Sequence, residues 1–258
     1  MLGHQAHKNS SADGADEVRA APSFCPTAPE AHAFFLYRVA ASRIALRIKL
    51  KENTMIGYYN YTVILTYIGT LSGFTGITFL WKNNLKMALI CLLLATFCDM
   101  FDGKIASTMD RTRAEKRFGI QIDSLSDLIC FGALPSLIVY YCSRKTVLHI
   151  LISGLYLLCA LIRLAWFNVD EEERQDPQDG GREVYLGLPV TTSGGFIPLF
   201  IAAVSLLGLN VGMMAPWFLL VLAIAFVTPF QLKKPGKVGL AIVMLCGILT
   251  LTLVLRMG

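Results

Sequence analysis

Charge is scarce in this chain. Only 16% of the 258 residues are charged, whereas 55% are apolar, and the mean hydropathy is +0.57. Soluble domains carry about 25% charged residues, so the composition excludes an ordinary soluble protein. The length accommodates several membrane spans of about 20 residues each, without a large second domain. One integral membrane domain is predicted.

The sequence also lacks CxxC pairs and internal repeats. Without CxxC pairs, and with an odd total of seven cysteines, neither a zinc site nor a disulfide framework is indicated. Without repeats, a solenoid is excluded. The net charge of +5 comes from short basic clusters, which favour membrane lipid over nucleic acid as a partner. Six cysteines lie in apolar runs and are predicted to be buried thiols: Cys91, Cys98, Cys130, Cys142, Cys159 and Cys246.

The first 54 residues differ in composition from the rest of the chain. Residues 1–30 are rich in Ala, Ser, Pro and charge, and they are predicted to be poorly ordered. Residues 32–50 interleave basic and apolar side chains, which predicts an amphipathic helix on the membrane surface. A secretory signal fits poorly because the charges run through the apolar stretch. The alternative is that Met55 is the true start and the leader is an artefact of gene calling.

Seven apolar segments follow Met55, at residues 58–81, 85–107, 119–142, 147–168, 190–208, 213–231 and 237–256. Each is long enough to cross a bilayer, where only helices satisfy the backbone hydrogen bonds of a single span. We therefore predict an all-α, multi-pass protein of the cell membrane, with six to seven transmembrane helices in a single catalytic domain, residues 55–258. The more basic loops, including residues 111–117, are predicted to be cytoplasmic, and the aspartates described next lie on that side.

Four aspartates lie within one stretch of the chain: Asp99, Asp102, Asp123 and Asp127. Spacings of three and four residues place each pair on one face of a helix, so two adjacent helices can bring the pairs together. Carboxylates withdrawn from water repel one another unless cations neutralise them. Two Mg²⁺ or Mn²⁺ ions would do so, and such a pair can hold a phosphate undergoing displacement. The charge count predicts phosphoryl chemistry.

Acids at helix ends are often merely solvated, so a single DxxD pair would be weak support for a site. Here Gly103 and Gly119 flank the acids and allow close approach by another helix or by substrate. Acids within membrane spans are also costly and functional by default.

The stretch resembles the motif of the CDP-alcohol phosphotransferases, D-x-x-D-G-x-x-A-R, a spacer, and G-x-x-x-D-x-x-x-D. The resemblance implies that family's fold with six core membrane helices, a homodimer, and a reaction in which an alcohol attacks the phosphate attached to diacylglycerol and displaces CMP. The matching residues are Asp99, Asp102, Gly103, Ala106, Gly119, Asp123 and Asp127.

Roles for the acids also follow from the resemblance. Asp99, Asp102 and Asp123 are expected to hold one metal ion, and Asp99, Asp123 and Asp127 the other. Asp127 is also expected to be the catalytic general base that takes the hydroxyl proton.

The sequence departs from the family motif at Ser107, where the family has Arg, and in a longer spacer before Gly119. Our hypothesis is that Arg111, Arg113 or Lys104 supplies the missing positive charge to the diphosphate. The alternative is that the loop arginines only follow the positive-inside bias. The substrate-binding residues predicted around the motif are Gly103, Lys104, Ala106, Ser107, Arg111, Arg113 and Gly119.

Two further segments, residues 162–169 and 185–191, resemble the phosphatidylserine synthase branch of the family. This resemblance implies CDP-diacylglycerol and L-serine as substrates, with glycerol 3-phosphate or inositol phosphate as alternative acceptors. Arg163 is predicted to bind a phosphate or the serine carboxylate, or else to snorkel to headgroups. Asn168 either binds the same ligand or caps its span. Two other readings are a cation or proton transporter and a catalytically impaired membrane scaffold.

Overall fold

The structure, a computed structural model, describes residues 56–174, 184–233 and 237–257. The predicted leader, residues 1–54 with its surface helix at 32–50, lies outside them. Within these residues the chain forms seven helical segments, one for each apolar segment of the sequence. They are α1 (Tyr61–Trp81), α2 (Leu85–Ala106), α3 (Arg113–Asp127) continued by a π-helix (Leu128–Ala133) into α4 (Leu134–Cys142), α5 (Val147–Arg174), α6 (Ser193–Leu206) after a 3-10 turn (Val190–Thr192), α7 (Val211–Val227) and α8 (Lys237–Arg256).

Among the described residues, three helical stretches are long and apolar enough to cross a membrane: Tyr61–Trp81, Arg113–Cys142 and Val147–Glu171. Shorter apolar helices cover Val190–Leu206, Val211–Val227 and Val243–Arg256. Helix α2 has 22 residues but carries Lys86, Asp99, Asp102 and Lys104, which interrupt its apolar character. The helices and their apolar surfaces are those of an integral membrane protein.

A two-stranded antiparallel pair accompanies the helices, and the prediction of helices alone missed it. Strand β1 (Val184–Leu186) pairs with β2 (Gln231–Lys233). The backbone N–H of Gly187, at φ +76, donates to the carbonyl of Phe230 over 2.6 Å. Three-residue strands are too short to show an alternating pattern in the sequence. The pair joins the segment before α6 to the segment after α7.

Glycines on α1 set how closely its neighbours approach. A Cβ at Gly73 would lie 2.7 Å from the sulfur of Cys130, and one at Gly76 would lie 2.9 Å from Leu134. The thiol of Cys130 donates to the carbonyl of Gly69 over 3.3 Å. Small residues allow this kind of close helix packing in membranes. The contact fixes α1 against the π-helix that directly follows Asp127.

The core lies between α2, α4, α5, α6 and α7. Tyr156 is fully buried and donates to the carbonyl of Phe131 over 2.7 Å, and Ser193 donates to the same carbonyl over 3.2 Å. Side-chain donors of this kind satisfy a carbonyl where a π-helix interrupts the α-helical hydrogen-bond ladder. Four cysteines are buried as predicted and Cys142 is half-buried, but Cys246 is exposed because its side of α8 faces outward.

Candidate active site

The connection between α2 and α3 is short and anchored at both ends. Thr112 begins α3 with a capping box, in which its N–H donates to the Glu115 carboxylate over 2.8 Å and its hydroxyl accepts from the Glu115 N–H. Asn60, before α1, donates to Glu115 over 3.4 Å. The hydroxyls of Tyr61 and Thr108 lie 3.1 Å apart. These contacts place the end of α2 and the start of α3 beside the start of α1.

The aspartates of the two helices meet at this end of the bundle. Carboxylate oxygens of Asp99, Asp102 and Asp123 all lie within 4.8 Å of one another. Asp127, one helical turn beyond Asp123, is buried and lines the same small cavity as Asp99. The hydroxyl of Thr66 on α1 donates to Asp102 over 3.2 Å. The structure therefore brings together all four aspartates that the sequence singled out.

The oxygen atoms of this cluster are suitable ligands for a hard metal ion. A cavity of about 10 Å³ lies among the four aspartates, with room for about one water-sized particle. Its lining includes Thr66, Ser126 and apolar residues but no Lys or Arg from the residues that the structure describes. The repulsion among such carboxylates is relieved by a bound cation or by protonation, and oxygen atoms are the ligands that Mg²⁺ and Mn²⁺ prefer. Asp99, Asp102 and Asp123 could hold a metal ion in this arrangement.

Polar contacts that the sequence did not reveal hold α3 in position. Thr70 on α1 donates to Ser126 over 2.7 Å. Ser124 donates to the side-chain oxygen of Asn168 over 2.5 Å, and the amide of Asn168 donates to Gln121 over 3.5 Å. Asn168 does not cap its span, since α5 continues to Arg174. It links α5 to the face of α3 that carries the aspartates.

The two motif glycines have different surroundings. A Cβ at Gly103 would meet nothing within 4 Å, so the face of α2 next to Asp102 is open. A Cβ at Gly119 would lie 3.1 Å from an Nη of Arg111, so the Arg111 guanidinium lies over the bare backbone of α3. Arg111 Nε is buried, and no hydrogen-bond partner for it is present in the described part of the chain. Arg111 thus rests one turn before Asp123.

The other predicted substrate residues near the motif lie at the helix ends. Ala106 is the last residue of α2, and the hydroxyl of Ser107 donates to the carbonyl of Lys104 over 2.7 Å. The Nζ of Lys104 lies 5.4 Å from the centre of the Phe101 ring. Arg113 is the exposed first residue of α3. Ser107 therefore caps the end of α2 and does not supply the positive charge of the family's arginine.

Arg163 is turned into the protein and does not snorkel. It is only 8% exposed, and its Nε donates to the carbonyl of Leu188 over 3.2 Å. A Cβ on the neighbouring Gly187 would lie 3.6 Å from the same nitrogen. The residue lies against the turn after β1 and is not part of the lining of the aspartate cavity.

Replacing Asp102 with Asn is expected to weaken Mn²⁺ binding by at least about 10-fold, because the change removes a charged ligand and keeps the side-chain size. Isothermal titration of the purified protein with Mn²⁺ measures this. Asp110→Asn is the matched control, since Asp110 is exposed on the α2–α3 connection. Equal Mn²⁺ affinities for the two variants would show that the cluster is not a metal site.

Comparison with known proteins agrees with this geometry. The chain is 30% identical over 146 residues to the CDP-diacylglycerol–serine O-phosphatidyltransferase of Mycobacterium tuberculosis, covering 56% of this chain and 46% of that one. It is 32% identical over 138 residues to the archaetidylserine synthase of Methanothermobacter thermautotrophicus, and the match covers 53% of this chain and 55% of that one. The Saccharomyces cerevisiae CDP-diacylglycerol–serine O-phosphatidyltransferase is 31% identical over 138 residues, with 49% of each chain covered.

The chain spans about half the length of the curated relatives it matches. The family model for CDP-alcohol phosphatidyltransferases matches residues 59–229, which include α1 to α7 and the four aspartates. The chain belongs to the CDP-alcohol phosphatidyltransferase family.

Proposed function

We propose that the protein transfers the phosphatidyl group from CDP-diacylglycerol to L-serine, forming phosphatidylserine and releasing CMP. The convergence of Asp99, Asp102 and Asp123 beside the buried Asp127 supports the chemistry. The choice of serine is supported by the relatives, whose names specify serine or archaetidylserine. Glycerol 3-phosphate and inositol phosphate are the alternative acceptors for the same chemistry.

Two divalent cations, Mg²⁺ or Mn²⁺, fit the charge of the four aspartates. Asp99, Asp102 and Asp123 would hold one, and Asp99, Asp123 and Asp127 the other. When bound, the ions neutralise the diphosphate and polarise the bond that breaks. The clustering of Asp99, Asp102 and Asp123, and the position of Asp127 in the lining of the same cavity, support this division.

Asp127 is proposed as the catalytic general base. The serine hydroxyl oxygen attacks the phosphorus bound to diacylglycerol while its proton passes to Asp127. The bond from that phosphorus to the bridging oxygen breaks, and CMP leaves with the electron pair. Burial of Asp127 supports this role, because water cannot easily compete with the acceptor hydroxyl there.

Arg111 is our preferred ligand for the diphosphate. Its guanidinium lies over Gly119, one turn from Asp123, and its Nε is buried without a partner in the residues described. Arg donors suit phosphate oxygens, and an unsatisfied buried donor is costly until it finds an acceptor. Lys104 and Arg113 are the secondary candidates. The open face at Gly103 is proposed to receive the nucleotide side of the substrate.

Arg163 is proposed to bind the carboxylate of serine. Its Nε donates to the carbonyl of Leu188, so the two Nη nitrogens are the donors it would offer to the acceptor. Two such nitrogens can donate parallel hydrogen bonds to the two oxygens of one carboxylate. Asn168 would orient the acceptor from the same helix through its contact with Ser124.

The membrane arrangement is proposed from the same features. Six to seven of the helical segments would cross the membrane, as a homodimer in the cell membrane. Arg111, Arg113, Lys116 and Arg117 lie at the aspartate end, so the positive-inside rule places the active site at the cytoplasmic face.

The purified protein, supplied with CDP-diacylglycerol, Mn²⁺ and labelled alcohols, is expected to release CMP with serine and to incorporate serine into lipid. Asp127→Asn should reduce the turnover number at least about 100-fold, because it removes the proton acceptor. Thin-layer chromatography of the lipid products measures both. Incorporation from glycerol 3-phosphate or inositol phosphate, but not serine, would reassign the acceptor, and no CMP release with any alcohol would favour the scaffold.

Arg111→Gln is expected to lower kcat/KM for CDP-diacylglycerol by about 10-fold or more, since a charge-assisted hydrogen bond contributes about 1.5 to 3 kcal/mol. Initial rates over a CDP-diacylglycerol series give the value. Arg113→Gln, an exposed neighbour with the same charge change, should lose much less. If both variants kept wild-type kinetics, neither arginine would bind the diphosphate.

Gly103→Ala is expected to raise KM for CDP-diacylglycerol without lowering Tm, because the added methyl group enters open space that the substrate would need. Alanine in place of a helical glycine stabilises a helix by about 1 kcal/mol when nothing clashes. Gly154→Ala on α5, where a Cβ also meets nothing within 4 Å, is the control. An unchanged KM in Gly103→Ala would mean that substrate does not use this face.

A further inference from the structure

A second cavity lies at the end of the bundle opposite the aspartates. Its volume is about 420 Å³, within the range of small-ligand sites. Leu85, at the start of α2, contributes to it, whereas Asp102 lies near the other end of the same helix. At 1.5 Å per residue the two are about 25 Å apart along the helix. This distal cavity is therefore separate from the proposed catalytic site.

The lining of the distal cavity is polar on one side and apolar on the other. Asn83, Lys145 and Ser205 are exposed and carry hydrogen-bond donors, whereas Leu85, Ile201 and Val211 are at least partly buried. Such a lining fits a ligand with a polar anionic group joined to an apolar portion.

Among the side chains that the structure describes, the charged ones at this end are all basic. The described acidic residues lie within residues 99–127 or at 170–171, at the aspartate end of the bundle. The described basic residues at the distal end are Lys82, Lys86, Arg144, Lys145 and Arg256. The positive-inside rule explains basic residues at the aspartate end but not these. An unbalanced positive field beside a cavity attracts an anion.

Local structure holds Lys145 and Asn83 at the rim. They are the two non-glycine residues with left-handed backbones in the described part of the chain, at φ 54 and φ 57. At Asn83 this conformation ends α1 as a helix cap, in which the N–H of Asn84 donates to the carbonyl of Phe79 over 2.9 Å. Tyr141 lies between the two: its hydroxyl donates to Asn83 over 3.3 Å, and its ring centre is 5.6 Å from the Lys145 Nζ.

Of the basic residues here, Lys86 already has partners. Its Nζ donates to the carbonyls of Leu255 and Met257 over 2.7 and 3.0 Å, which fixes the end of α8 beside the cavity. Lys145 is the basic residue that lines the cavity with its charge available.

We propose that the distal cavity binds the headgroup of an anionic phospholipid, with the lipid phosphate held by Lys145 and by the polar groups of Asn83 and Ser205. The apolar wall favours a lipid over free phosphate, because it would contact the glycerol and the first methylene groups of the chains. Lys145 supplies the charge that attracts the phosphate, and the apolar wall supplies the contact with the chains. The site is independent of the transferase reaction.

The test uses the full chain in detergent, with dioleoyl-phosphatidylglycerol, dioleoyl-phosphatidylcholine or inorganic phosphate added. Phosphatidylglycerol is expected to raise Tm and to remain bound in native mass spectrometry, and phosphatidylcholine is not. Lys145→Gln should weaken phosphatidylglycerol binding about five-fold, as expected for one surface charge. Arg144→Gln is the control, since the neighbouring Arg144 does not line the cavity.

Ser205→Phe fills the cavity from another wall without changing charge, and it should also weaken phosphatidylglycerol binding while keeping the Tm measured without lipid. Equal binding of the two lipids, or equal losses in Lys145→Gln and Arg144→Gln, would overturn the proposal. Stabilisation by inorganic phosphate alone, with nothing further from phosphatidylglycerol, would replace the lipid with free phosphate and so overturn it as well.

Discussion

Mutual repulsion among four carboxylates is the constraint on which this structure depends. Asp99, Asp102, Asp123 and Asp127 come together at one end of a helical bundle. Two of them are buried, and no described basic side chain lines the space between them. The repulsion is relieved by a bound cation or by uptake of protons, and oxygen ligands of this kind suit a divalent ion. The helices therefore hold the carboxylates where a cation could bind.

The rest of the helical scaffold holds the carboxylates where they would otherwise move apart. Glycines on α1 bring that helix against the π-helix after Asp127, and the hydroxyls of Thr66 and Thr70 reach Asp102 and Ser126 from the same helix. The capping box at Thr112 fixes where α3 begins. Each contact is local, but together they determine the distances between oxygen atoms on two different helices.

Much of this was predictable because the signals are periodic or local. Apolar runs gave the seven helical segments, and spacings of three and four residues placed each aspartate pair on one face. The pairing of β1 with β2 was not predictable, because it joins short segments about 45 residues apart in the chain. The contacts of Asn168 and the inward turn of Arg163 depend on packing between helices, which no local pattern encodes.

The π-helix at Leu128–Ala133 joins α3 to α4 in one continuous helix. A π-turn is equivalent to an α-helix with one residue inserted, so the helix beyond it is rotated by about 100° from its α-helical phase. The aspartates of α3 and the buried side chains of α4 can therefore each face their own neighbours. Loss of one residue within this turn would restore the α-helical phase and bring the two halves into conflict, since either the carboxylates or the packing of Leu134 and Ile138 would turn outward.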